Sequence, residues 1–192
     1  MKRLSMCAES IRAIRAGAKD LTTRAVKPQP VIDTTNPKYA DWLGWWPKWA
    51  EGECIWRPRD AALEEIVRCA PYHVGERVAL TETWCTTGAG CVLYKADNRT
   101  EQPYWSMLRW SPARFMRAED ARYYATILTV ASGLLWDMTD ADYRREGVET
   151  LPWYRGDLRA AWMTWWNKLN GKRCPAASNP WVWVLEFKEV NQ

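Results

Sequence analysis

The sequence predicts a mainly β, α+β fold: a mixed or antiparallel sheet, closed into a small barrel with helices outside. Three observations lead there. Val78, Leu80, Glu82 and Trp84, and again Trp181, Trp183, Leu185 and Phe187, alternate with the two-residue period of a strand. The run RYYATILTVAS, Arg122 to Ser132, is dense in β-branched and aromatic residues. Helical patterns fall between these runs without a strand–helix–strand rhythm, which disfavours a parallel doubly wound sheet.

In chain order, Ser5 to Ala16 reads as a helix, with Ser5 as cap, Ile11 and Ile14 on its buried side and Gly17 as its stop. Leu21 to Val26 is extended until Lys27-Pro28-Gln29-Pro30 breaks it. Trp42, Trp45, Trp46 and Trp49 stand at i, i+3, i+4, i+7, the spacing of a short helix with an aromatic stripe. Ala61 to Cys69 suggests another short helix. A strand follows Gly75, and CVLYKADNRT reads as a strand ending in a turn at Asp97-Asn98. In MTDADYRREGV, Thr139 caps a helix, Asp142 takes the capping-box position and Gly147 ends it. GDLRAAWMTWWNKLNG is the strongest helix: Asp157 caps it, Gly171 stops it, and Leu158, Ala161, Trp162, Trp165 and Leu169 share a face. NPWVWVLEFKEV, apolar on both sides in its first half, reads as a central strand.

A length of 192 residues fits one domain, residues 1–192, with a Trp-rich insertion at 31–66. The net charge of +4 permits a polyanionic partner without requiring one. Six cysteines form no CxxC pair and no signal-peptide pattern precedes them, so the expectation is reduced thiols in the cytoplasm, that of a host cell if the chain is phage-encoded. No apolar stretch approaches a membrane span, so no membrane partner is expected. Fifteen tryptophans are too many to leave exposed; core packing should absorb most of them.

The chemistry-bearing residues are few. His73 is the one histidine and lacks a GxSxG partner; Cys69 with His73, or Cys85 with Cys91, are only fragments of a zinc site, so no metal and no cofactor is expected. Glu82 sits on an otherwise apolar strand face, where an acid must be paired, hydrogen-bonded or neutral. Either it meets an arginine or solvent at the rim, or it joins Trp84 in reading a nucleobase, the acid accepting from amines and the indole stacking. Lys19, Thr22 and Arg24 follow the first helix stop directly. Alone they read as a solvated connector or an anion clamp. A lysine depressed by burial or by the Arg24 charge could instead activate the Thr22 hydroxyl, provided the backbone bends to bring the two together.

The motifs AIRAGAKDLTTR, YHVGERVALTETW, DMTDADYRREGV and NPWVWVLEFK, in this order, resemble the ASCH domains of the PUA-like superfamily, above all the longer ASCH-like proteins of phages and prophages. The resemblance runs from about Ala8 to Lys188 and is weakest over the Trp-rich insertion. It implies a PUA-like small mixed β-barrel with flanking helices and a cleft for RNA or a modified nucleoside or nucleotide. Some ASCH proteins are amidohydrolases that deacetylate acetylcytidine with a lysine and a threonine of a G-x-K-x-x-T motif and a later glutamate; the matching positions are Lys19, Thr22 and Glu146. The implied mechanism is attack of Thr22 Oγ on the acetyl carbonyl, with Lys19 as base and Glu146 assisting proton transfer to the leaving amine. Ala18, Thr81 and Phe115 stand where the phage-type proteins tend to carry arginine, arginine and histidine, which implies a pocket less attractive to phosphate.

Three functions follow as expectations. The first is a nucleic-acid or nucleotide-binding protein whose barrel cleft is lined by Lys19, Arg24, Glu82 and Trp84. The second is an acetylcytidine-type amidohydrolase using Lys19, Thr22 and Glu146. The third is a phage-encoded interaction module that grips a host protein through Trp42, Trp45, Trp46 and Trp49.

Overall fold

A computed structural model describes residues 1–27, 29, 45–50, 53–58, 70–87, 90–97 and 107–190, with 45–50 and 53–58 as backbone. The architecture is mixed α+β. The strands β1 (Lys2–Ser5), β2 (Leu21–Ala25), β5 (Arg77–Thr81), β8 (Tyr123–Leu134) and β9 (Trp181–Val190) form one sheet in the order β1-β5-β8-β9-β2. β1 and β5 run parallel; the other pairs are antiparallel. Two ribbons stand apart from this ladder: β3 (Trp45–Ala50) with β4 (Glu53–Pro58), and β6 (Trp84–Thr86) with β7 (Val92–Tyr94).

The described strands form an open sheet. Its edges β1 and β2 share no ladder, yet they come together through one side chain: Arg24 on β2 donates from Nη2 to the Ser5 carbonyl at the end of β1 and contacts Met6 Sδ at 3.4 Å. The closed barrel expected from the sequence is not seen among the described residues: the two edges are linked by this guanidinium and not by a ladder.

β9 is interior, paired on both sides, as its two apolar faces require. Trp183, Leu185 and Phe187 pack with Ile11 and Ile14 of helix α1 (Ala8–Arg15) and with Leu80 and Ile127. Val182 faces the other way, into a cluster with Tyr143 of helix α2 (Asp140–Arg145) and Trp162, Trp165 and Trp166 of helix α3 (Leu158–Asn170). The two-residue period thus places α1 on one face of the sheet and α2 with α3 on the other. Each fully buried Leu, Ile or Phe here contributes about 1.5–3 kcal/mol. The β8–β9 register shifts between Ile127 and Thr129; the extra residue, Leu128, is exposed.

The helix ends follow local chemistry. Thr139 and Asp142 form the reciprocal capping box of α2, and Asp157 accepts from the Ala160 amide at the start of α3. Gly17 leaves α1 at φ +68°, a left-handed conformation that favours glycine. Gly147 follows α2 at φ +80°, and a Cβ there would stand 2.8 Å from Ala13 Cβ and 3.4 Å from Lys19 Cβ. Only a glycine lets the end of α2 approach α1 and the Lys19 segment this closely.

Four expectations need correction. The helix expected across Trp45, Trp46 and Trp49 is instead the hairpin strand β3, with Ala50 opposite Glu53. Pro47 lacks the amide that a helix interior needs, whereas a two-stranded ribbon tolerates it. Ser5 does not cap α1: it closes β1, and Cys7 takes the cap position without a side-chain hydrogen bond. Leu169 is exposed, and Trp166 is buried in its stead on α3. CVLYKADNRT gives a strand only over Val92–Tyr94 and then a 3-10 turn at Lys95–Asp97, where the Ala96 methyl is buried. The helix expected at 61–69, most of the 31–66 insertion and the side chains of Trp42, Trp45, Trp46 and Trp49 lie outside the described residues.

Candidate active site

Lys19 belongs to the short segment between Gly17 and β2, outside the strand. That segment is pinned to α2: the Asp20 amide donates to the Arg145 carbonyl at 3.1 Å, and the Arg145 guanidinium holds the Asp20 carboxylate at 2.9 and 3.2 Å. Arg145 Nη1 also donates to Glu186 Oε1 at 2.7 Å, tying α2 to β9. These half-exposed ion pairs flank a buried one. Lys19 Nζ donates to Glu146 Oε2 and, at 3.1 Å, to the Glu146 backbone carbonyl. The Thr23 amide donates to the other carboxylate oxygen of Glu146. Both side chains of the pair are 1 % exposed.

The bend expected after Gly17 is present, and it brings Lys19 to Glu146. No hydrogen bond joins Lys19 Nζ to Thr22 Oγ1; the connection is Glu146, held by Lys19 on one oxygen and by β2 on the other. Burial pushes the Lys19 ammonium below the ordinary lysine range; Glu146 opposes that shift, and the Arg24 charge adds to it. The Trp165 ring stands 5.5 Å from Lys19 Nζ.

A cavity of about 440 Å³ opens beside this pair. Its walls are Cys7 and Ser10 from the start of α1; Thr22, Thr23 and Arg24 from β2; Glu146; Trp162, Trp165 and Trp166 from α3; and residues 112–114. Thr22 is buried, and its hydroxyl makes no hydrogen bond among the described residues. Thr23 Oγ1 is directed to Met138 Sδ at 3.6 Å. Cys7 Sγ lies 3.3 Å from Ser10 Oγ, and burial raises the Cys7 thiol. Two residues of the wall, Arg24 and Trp162, each carry a donor, Nε and Nε1, that is sealed from solvent without a partner among the described residues. Such groups are rare enough in folded proteins that each calls for a reason.

Of the four side chains expected to line the cleft, Arg24 does and Lys19, Glu82 and Trp84 do not; β5 ends at Thr81, so Glu82 and Trp84 do not continue its face as expected. Glu82 is 1 % exposed and accepts from Arg122 on both oxygens, at 2.8 and 3.1 Å. Burial raises its carboxyl and Arg122 works against that rise. Arg122 in turn grips Asp97 at 2.6 and 3.1 Å and lies 3.9 Å over the Tyr94 ring. This is the arginine that the sequence reading offered as one alternative for Glu82. Trp84 packs with Ala79, Met116 and Tyr124, and its backbone exchanges hydrogen bonds with Ser111. His73 lies in an exposed turn, where its amide donates to Glu76.

The indole wall was not legible as a site. Trp162 and Trp165 carried a core signal at helical spacing, and nothing local said that one edge of that core borders a cavity. Among the described residues, no group of three His, Cys, Asp or Glu side chains could hold a metal ion, and no helix is long and apolar enough to cross a membrane. Compared with known families, curated proteins and solved structures, the chain matches no family model, no curated protein and no solved structure.

Proposed function

We propose that the chain is an ASCH-like protein of PUA-like type that receives a nucleobase, in RNA or in a modified nucleoside, in the cavity between α1, β2 and α3. In this reading the Arg24–Ser5 contact closes an incomplete barrel. The observation that carries the reading is the wall itself: Thr22, whose hydroxyl is unbonded among the described residues, lines one cavity with Arg24, Glu146 and the indoles of α3. A base edge or an acyl group supplies polar atoms to match such a mixed wall. The three tryptophans are 1–4 % exposed, so they shape the wall rather than offer a free stacking plate. Glu82 and Trp84 support the fold around the site under this reading.

A second reading, amidohydrolysis of an acetylcytidine-type nucleoside, is favoured by the meeting of Lys19 and Glu146 across 127 residues beside Thr22. Thr22 Oγ would attack the acetyl carbonyl, its proton passing to a neutral Lys19, and Glu146 would relay a proton to the leaving amine. The acyl-threonine formed would then be hydrolysed by water.

Incubation with a panel of acetylated and plain nucleosides, scored for binding and for acetate release, tests both. Binding without release supports the first reading alone. Release that Thr22→Val abolishes supports the second. Absence of both overturns the proposal.

A further inference from the structure

The cavity has a continuation. A groove of about 310 Å³ runs past the C-terminal end of α3 and shares Arg114, Leu169 and Asn170 with the cavity wall. Five basic side chains line it, Lys27, Arg114, Lys168, Lys172 and Arg173, and no carboxylate does. Lys168 approaches Glu9 at 3.8 Å. Lys27, Lys172 and Arg173 are exposed and form no ion pair among the described residues. A helix C-terminus ordinarily repels anions through its free carbonyls. Here the Asn167 carbonyl accepts from the Gly171 amide, and the Asn170 carbonyl from the Arg173 and Cys174 amides, so those acceptors are occupied.

We infer that this groove is a phosphate track, and that the ligand of the cavity is a nucleotide within a single-stranded chain whose phosphodiesters lie against Lys27, Lys172 and Arg173. The inference rests on the nucleobase reading of the cavity and deepens it. A net charge of +4 is mild for the whole chain, but a carboxylate-free cluster of five cations concentrates positive potential at the cavity's flank. The loss of family cations at Ala18, Thr81 and Phe115 does not touch this cluster, because none of those three residues lines the groove.

The test compares an uncharged nucleoside with a short single-stranded RNA containing the same base, each titrated against the wild type and against Lys172→Glu/Arg173→Glu. The expected result is tighter binding of the RNA by the wild type, with log K falling against log[salt] by about 0.7 per phosphate contacted. The double variant should lose about tenfold or more in RNA affinity and show a flatter salt slope, while its nucleoside affinity and thermal midpoint stay unchanged. If the RNA binds no more tightly than the nucleoside, or the variant binds RNA as the wild type does, the groove assignment is overturned and the cavity reading survives. If neither ligand binds the wild type, both fall. An acidic peptide that displaces the RNA from the groove and binds more tightly would reassign the surface to a protein partner and also overturn it.

Discussion

Lys19 Nζ is hydrogen-bonded to Glu146 twice, through the side-chain carboxylate and through the backbone carbonyl at 3.1 Å, with both side chains almost wholly removed from solvent. This pair fastens the start of β2 to the end of α2. It therefore has a mechanical role whatever chemistry it performs.

Breaking it on one side leaves a charge buried alone. Lys19→Met is expected to destabilise the fold by about 3–5 kcal/mol, whereas Lys19→Met/Glu146→Leu, which removes both charges, should recover most of that loss. Urea unfolding with an unchanged slope measures both. With Glu146→Leu alone completing the cycle, a double-variant loss equal to the sum of the two single losses would show that the pair contributes no coupling.

Thr22 separates structure from chemistry. Its hydroxyl has no hydrogen-bond partner among the described residues, so Thr22→Val should alter stability by less than about 1 kcal/mol. Under the hydrolase reading, acetate release falls to background in Thr22→Val and partly survives in Thr22→Ser. Wild-type release by Thr22→Val would remove the nucleophile assignment.

The Lys19 shift has a definite sign in pH. Because burial lowers the folded value, the ammonium penalty is fully present at pH below that folded value. Between the folded and the ordinary lysine values the unfolded chain binds more protons, so Lys19 makes stability rise with pH across that window. Wild type minus Lys19→Met, compared by thermal midpoint along an alkaline series, isolates the contribution. If Lys19 is the base, the rate also climbs with pH, with its midpoint below the ordinary lysine value.

Two further side chains distinguish the wall from its supports. Trp162→Phe shrinks an indole that both lines the cavity and packs in the core, so ligand affinity should fall several-fold and stability by about 1–3 kcal/mol. Arg122→Ala should cost about 3 kcal/mol by stranding buried Glu82 and leave ligand affinity intact. Calorimetric titration beside urea unfolding reads both. A large affinity loss in Arg122→Ala would return Glu82 to the ligand site.

What the sequence disclosed was local or periodic. The Thr139–Asp142 box, the Asp157 cap and the Gly17 stop each concern residues within one turn, and each is present. The interior position of β9 followed from its two apolar faces. The tryptophans at 42–49 misled, because helical spacing recurs by chance in a Trp-rich run and Pro47 overrides it. The strand order was illegible for a different reason: which strands are neighbours and which become the edges β1 and β2 is set by pairings between distant residues. Of the candidate site, the bend at Lys19 could be read from Gly17. Its meeting with Glu146 came only through resemblance, and the tryptophan wall came from neither.

Among the described residues, the edges β1 and β2 are joined by the Arg24–Ser5 hydrogen bond and by no ladder. A seam held by many backbone bonds yields only by local unfolding, whereas one guanidinium can rotate to a new acceptor and leave every strand intact. A guest that captures Arg24 would thereby slacken the join between the two sheet edges. Occupancy would then be felt as faster amide exchange along β1, on the far side of the sheet order from the strand that supplies the arginine.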